Sequence, residues 1–261
     1  MLSNNQNQPK CLKCGKPLNE VTCSNCGFNV MRESLLTVDK SGQDKVFYKN
    51  EFAYFKENNF DYCYQTGLKY SEDKIFFGSY YQNNQYKKEP IEWQILEKKG
   101  NRALLISKYA LDCKGYHELL TDTTWEKCTL RVWLNEAFLK QAFTPEEQSM
   151  IAETTVKAHA NPKHITNPGN DTVDKVFLLS IPEINRYFKS DEERICQQTK
   201  YCFDRGAYDF DGHVWWWLRS PGGRADFAAL VGYGGSVLDY GNGVNNDISA
   251  VRPALWVNLE S

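Results

Sequence analysis

The feature that most restricts the fold is the way the chain finishes. From Trp215 to Trp256 it reads WWWLRSPGGRADFAALVGYGGSVLDYGNGVNNDISAVRPALW. Heavy apolar groups stand at both ends, three tryptophans at Trp215–Trp217 and the run from Pro253 to Trp256. Between them lie mostly small, polar and aromatic residues. The glycine-rich stretch GYGGSVLDYGNG leads into more strand and loop, not into a helix N-terminus, so it lacks the amide cradle and dipole that a phosphate needs. The pattern predicts short strands pinned at both ends, with the tryptophans as core packing and Arg219 and Arg252 paired with buried acceptors.

Upstream, KIFFGSYYQ reads as a strand, and IEWQILEKKGNRALLISKYAL as two strands around the turn EKKGNR. WEKCTLRVWLNEAFLKQAF places Leu130, Trp133, Leu134, Phe138 and Ala142 at helical spacing, with Thr129 as the expected cap. TPEEQSMIAETTV starts a second helix, with Thr144 as N-cap, Pro145 first inside and Glu147 three residues on. DKVFLLS reads as a buried strand, IPEINRYF as a short helix, and ANPKHITNPGNDTVD between TPEEQ and DKVFLLS as a loop. Strands first, helices in the middle and short strands at the end make an α+β domain. At 261 residues and 41% hydrophobic, the chain can bury a sizeable core.

The front of the chain follows another rule. CLKCGKPLNEVTCSNCG offers Cys11, Cys14, Cys23 and Cys26 as two Cys-x-x-Cys knuckles, each followed by glycine. Four thiolates at this spacing suit tetrahedral zinc, and Gly15 and Gly27 allow the tight turns behind them. The expectation is a small zinc ribbon over residues 1–28 with structural zinc as its cofactor, folded mostly by the metal. Residues 29–72 read as a helical connector or an N-terminal extension, on the spacing of Phe52, Phe55, Tyr62 and Leu68. Residues 73–261 form the main domain. The chain has nine cysteines in all. Those outside the knuckles, Cys63, Cys113, Cys128, Cys196 and Cys202, read as reduced and buried, with Cys196 and Cys202 in CQQTKYC the alternative redox or catalytic pair.

The composition speaks against several functions. A formal net charge of −2 gives no basic face for nucleic acid. No apolar run reaches the length of a membrane span, and MLSNNQNQPK lacks the order of a signal peptide, so a cytoplasmic location is expected. No Gly-x-Ser-x-Gly elbow, phosphate loop or His-Glu-x-x-His is present. His159 and His164, with Asp171 or Asp174, are the alternative metal ligands, and polar loop residues otherwise.

PIEWQILE, ALLISKYALDC, TWEKCTLRVWLN, GNDTVDKVFLLS, WWLRSPG, GGSV and VRPALW, in that order, resemble a bacterial family with the C-type lectin fold of the formylglycine-generating-enzyme type. Several of its members are variable proteins of diversity-generating retroelements. The resemblance covers residues 74–259. It implies a C-type lectin-fold domain over 73–261, with a variable region at about 215–256. In such systems a reverse transcriptase copies a template with errors at adenines, and codons of the type AAC or AAT then reach many residues but never Lys, Glu, Gln, Trp or Met. Between Pro221 and Val251 none of those five occurs, although the whole chain is 25% charged. A loop rich in Gly, Asn, Asp, Ser and Tyr shows much of the same bias on its own.

The resemblance nominates Gly223, Arg224, Asp226, Phe227, Leu230, Gly232, Tyr233, Leu238, Asp239, Tyr240, Asn242, Asn245, Ile248 and Ser249 as varied, ligand-binding positions. Ala228, Ala229, Val231, Val237 and Val244 are then fixed scaffold. If Val231 and Val237 face the core together, they pair across an odd loop, such as a three-residue turn with Gly234 or Gly235 left-handed. Leu230, Gly232 and Leu238 then face outward. The implied function is a diversified ligand-binding protein, not an enzyme, whose partner is an unknown protein or other macromolecule. The alternatives are an enzyme of the formylglycine-generating, sulfatase-modifying type and an undiversified interaction domain. GHVWWW resembles the Gly-Asn-Val-Trp-Glu-Trp run of that enzyme group, with Trp in place of the acidic residue.

Overall fold

A computed structural model describes residues 74–259 and, before them, only five short strands. Cys11, Cys14, Cys23 and Cys26, from which a zinc ribbon is expected, and Cys63 lie outside the described residues. The chain divides into two compact units, Met1–Asp73 and Lys74–Ser261. In the first, β1 (Ser34–Val38), β2 (Asp44–Tyr48) and β3 (Ala53–Phe55) form an antiparallel sheet in that order, and β4 (Asp61–Tyr62) pairs with β5 (Lys69–Ser71). The expected helical connector is thus replaced, wherever residues 29–72 are described, by strands. The helical reading rested on a few spaced aromatics. The runs SLLTV, DKVFY and AYF are rich in β-branched and aromatic residues, which favour extended backbone.

The second unit is α+β. Its first sheet contains β6 (Lys74–Tyr81), β7 (Lys88–Lys99) and β8 (Arg102–Ser107), consecutive and antiparallel. Gly100, at φ 56°, turns β7 into β8 within the expected EKKGNR hairpin. β9 (Asp112–Cys113) follows. A helical layer comes next: α1 (Thr129–Trp133), a π-helical turn (Leu134–Phe138), α2 (Leu139–Ala142) and α3 (Pro145–Met150). Leu130, Leu134, Phe138 and Ala142 are buried as their spacing predicts, while Trp133 is half-exposed. The N-cap is Cys128, whose sulfur accepts from Arg131 N, not Thr129. Thr129 lies one residue inside, and its amide donates to His117 Nδ1. At α3 the capping box of Thr144 and Glu147 with Pro145 forms as read.

β10 (Thr154–Val156) and β11 (Thr172–Asp174) bracket the long polar loop. Then come β12 (Val176–Phe177), α4 (Ile181–Tyr187), α5 (Asp191–Arg194), α6 (Lys200–Asp204) and the small hairpin of β13 (Asp209–Phe210) and β14 (His213–Val214). DKVFLLS is strand only over β12, but Leu178, Leu179 and Ser180 are fully buried behind it. Asn135 docks the helical layer there, donating to Val176 O and accepting from the amides of Lys175 and Val176.

The terminal segment forms β15 (Trp216–Pro221), β16 (Phe227–Val231), β17 (Val237–Gly243), β18 (Ala250–Val251) and β19 (Ala254–Asn258). The second sheet runs β17-β16-β15-β18-β9, with β17 at its edge. β19 leaves it and enters the first sheet between β8 and β12. Arg252 sits at this crossing. Its Nε donates to Ser107 O, and its guanidinium lies 4.9 Å from the Trp216 ring and 5.7 Å from Phe188. Trp216 and Trp217 are fully buried. The anchors therefore tie the terminal segment into both sheets, and this fixes where its middle emerges.

Candidate functional site

Val231 and Val237 face each other across the β16–β17 hairpin, as the odd-loop reading requires. Gly232 N donates to Ser236 O and Gly235 N to Gly232 O, leaving a tight turn with Gly235 at φ 82°. Beyond it the register slips. Leu230 opposes Leu238 and Ala228 opposes Asn242, so Asp239, Tyr240 and Gly241 bulge out opposite Ala229 alone. Gly241, at φ 77°, lies against the Ala228 carbonyl, where a Cβ would come within 2.0 Å. A bulge on an edge strand re-aims its side chains and increases the local twist.

Two parts of the terminal segment meet at this bulge. Phe227, at the start of β16, has its ring 5.6 Å from that of Tyr240. Arg224 forms a two-point pair with Asp226, at 2.9 and 2.8 Å, and lies 4.9 Å from the Phe227 ring. The long polar loop supplies the other side. Lys163 Nζ pairs with Asp239 at 2.5 Å, His164 Nε2 is 3.3 Å from the same carboxylate, and the His164 ring meets Tyr240 at 5.5 Å. The Lys163 ammonium, with help from His164, holds the Asp239 carboxyl below its usual range. The result is a strip of two aromatic rings between a guanidinium–carboxylate pair and a cation–carboxylate cluster. Its charges are paired, the Phe227 ring is half-exposed and the Tyr240 ring exposed.

The other nominated positions divide. Tyr233 is exposed in the turn and packs at a tilt against Phe210, centroids 4.7 Å apart. Leu238 and Asn245 are exposed, Gly223 and Asn242 half-exposed, and Ile248 exposed beside Tyr208, whose amide donates to Ile248 O. Leu230, Gly232 and Ser249 are buried. The expectation that Leu230 and Gly232 face outward with Leu238 is corrected by the sheet order. Trp217, Leu230 and Leu238 form one cross-strand row, 0%, 1% and 38% exposed, so the row leaves the core only at the edge strand. Of the expected scaffold, Ala228, Ala229, Val231 and Val244 are buried and Val237 is half-exposed.

From outside the segment, Lys163 and His164 reach Asp239 and Tyr240, while Phe210 lies by Tyr233 and Tyr208 by Ile248. Nothing local in the sequence marked them for these contacts. His159 and His164 do not converge on a metal: His159 Nδ1 bonds Ser180 Oγ at 3.0 Å. Asp171 pairs with Lys157, while Asp174 is buried among Trp125 Nε1, Thr172 Oγ1 and Arg131 Nε. Among the described residues no cluster of three or more His, Cys, Asp or Glu could hold a metal ion. Cys113, Cys128, Cys196 and Cys202 are free thiols, all buried, and burial raises the pKa of each. A shallow groove of about 420 Å³ between Gln197–Lys200, Phe203, Asp209 and Gly212 carries no cysteine or histidine. Among the described residues, no helix is long and apolar enough to cross a membrane.

Neither the curated proteins nor the solved structures include a match to this chain. The sequence profile of one family, a domain of unknown function named DUF6273, matches residues 100–259. That span holds the helical layer, both sheet anchors and the whole aromatic strip, and the chain belongs to the DUF6273 family.

Proposed function

We propose that this chain is a ligand-binding display protein. A C-type lectin domain of the formylglycine-generating-enzyme type carries a surface varied by a diversity-generating retroelement, and a zinc ribbon serves as an accessory module. One observation carries the reading. The positions nominated from the resemblance are, apart from Leu230, Gly232 and Ser249, exposed or half-exposed, most of them on or beside the edge strand β17, whereas four of the residues nominated as scaffold, Ala228, Ala229, Val231 and Val244, are buried and the fifth, Val237, is half-exposed. Apolar and aromatic groups such as Leu238, Tyr240, Tyr233 and Ile248, all more than a third exposed, are unusual as plain solvated surface and useful as binding surface. Their backbone is ordered by folding, so a ligand meets a preorganised site.

The ligand is a protein or another macromolecule. The strip offers exposed and half-exposed rings beside paired charges, and the net charge of −2 supplies no basic track for nucleic acid. Four buried free thiols fit a reducing, cytoplasmic compartment. They also speak against the enzyme reading, because burial keeps Cys196 and Cys202 protonated and so withholds the thiolate that a catalytic cysteine needs.

Sequencing the DNA that flanks the gene tests the proposal. The expected finding is a reverse-transcriptase gene and a near-copy of the 3′ coding region that differs from it only at template adenines, within the codons nominated above. Differences scattered over all four bases, or no second copy, would overturn it.

A further inference from the structure

We propose that Asn161, Thr166 and Arg194 form a clamp that holds the varied segment by its main-chain carbonyls and so ignores which side chains stand there. The inference rests on the display reading for its purpose and on hydrogen-bond geometry for its content. Asn161 is 5% exposed, and its Nδ2 donates to both Pro221 O at 2.8 Å and Asp239 O at 2.7 Å. One amide therefore ties the end of β15 to the bulge of β17. Its Oδ1 accepts from Lys163 N at 3.0 Å, which fixes the side chain in a turn of its own loop. Thr166 Oγ1 donates to Gly222 O at 2.8 Å. Across the hairpin, buried Arg194 donates from Nε to Gly235 O at 2.8 Å and is itself held by Asp191.

Every acceptor in this set is a peptide oxygen, which all residues possess. The frame's backbone adds to it: Thr123 N donates to Ala225 O and His117 N to Val244 O. Lys163 and His164 are built differently, since they reach the side chain of Asp239 itself. The same loop thus offers two kinds of contact with one residue, a blind one to its carbonyl and a selective one to its carboxylate. A segment held by the first kind can be resequenced without refolding, and only the second kind changes with each new side chain. The clamp residues lie outside Pro221–Val251, so variation of that segment leaves them untouched.

The test is a set of double-mutant cycles on the full-length protein. Asn161→Ala and Lys163→Ala are each measured by chemical denaturation in the natural background and with D239N, D239S and D239Y. Asn161→Ala should lower the folding equilibrium constant about tenfold or more, because it strands two carbonyls. The factor should be the same within about twofold in all four backgrounds. The smaller effect of Lys163→Ala should vanish once Asp239 is replaced. Amide exchange should show a loss of protection at Gly222, Gly223 and residues 238–241 larger than the global factor that the buried amides of β8 report. Should Asn161→Ala fail to fold, Thr166→Val read against Arg224→Ser and Arg224→Asn takes its place. An Asn161 effect that varies by more than about tenfold with residue 239, or no effect on those amides beyond the global factor, would overturn the clamp. That outcome leaves the display reading standing, and a missing template would leave the clamp standing.

Discussion

The Arg219 guanidinium meets the Glu183 carboxylate at two points, with Nη2 2.8 Å from Oε1 and Nη1 on Oε2, and so joins the end of the tryptophan strand β15 to the first turn of α4. Arg219 also donates to the carbonyls of Leu178 and Lys157, and its side chain is 2% exposed. Glu183 closes the α4 capping box by accepting from Ser180 N. One carboxylate thus caps a helix and neutralises a buried cation. Removing either partner leaves the other charge without its counterpart, so Arg219→Met should destabilise the protein by about 3 kcal/mol and Glu183→Gln by about 1–2 kcal/mol in urea denaturation.

The same pair predicts a pH dependence. Burial alone would raise the Glu183 carboxyl, but the hydrogen bonds and charge of Arg219, with the Ser180 amide, outweigh it and hold the carboxyl below its usual value. A depressed folded-state pKa contributes stability that is present above the unfolded value, about pH 4.3, and is lost as pH falls through the folded one. Stability should therefore fall below about pH 4.3, and the fall should be shallower in Arg219→Met. Equal slopes in the two proteins between pH 5 and pH 2 would show that Arg219 does not set this titration.

Position along a cross-strand row separates core from surface. Leu230→Ala should cost about 2–5 kcal/mol through a buried cavity, and Leu238→Ala on the edge strand about 0.5 kcal/mol or less. In natural sister sequences residue 230 should stay apolar while residue 238 ranges freely. Equal costs in thermal denaturation would contradict the sheet order.

Much of this was legible beforehand, because local rules governed it. The Thr144–Glu147 capping box, the Gly100 hairpin and the Val231–Val237 register follow from neighbours in sequence. What was not legible depends on sheet order. Alternation assigned Leu230 and Leu238 to one face correctly, but only the placement of β16 between β15 and β17 buries the first and exposes the second. The partnership of Lys163 and His164 with Asp239 was hidden for the same reason, since the loop and the strand are about seventy-five residues apart. In the described stretches of residues 29–72, where a few spaced aromatics suggested helix, the chain forms strands in keeping with its β-propensity.

The hairpin turn treats its two neighbouring glycines differently. Gly235 is left-handed at φ 82°, and a Cβ there would lie 1.7 Å from Asp191 O, whereas Gly234 has open space around it. Gly235→Ala should cost about 2–4 kcal/mol and shift the Arg194 contact, while Gly234→Ala should be within about 0.5 kcal/mol of the parent. Denaturation of both variants checks the contrast. If Gly235→Ala is as mild as Gly234→Ala, the turn is not the one described.

The proposed zinc ribbon can be tested independently of the rest of the chain. Cys11, Cys14, Cys23 and Cys26 form two Cys-x-x-Cys pairs, a set of soft ligands that favours zinc in a closed tetrahedral site. Protein purified under reducing conditions should therefore carry about one zinc per chain by elemental analysis. Cys11→Ser or Cys26→Ser should abolish or sharply reduce the metal, because a three-thiolate site keeps an open position and loses most of the binding energy that folds so short a segment. Chelation should make residues 1–28 protease-sensitive while the unit from Lys74 to Ser261 keeps its melting transition, since that unit is compact in its own right. Full zinc content in both serine variants would place the metal on other ligands and remove the ribbon reading.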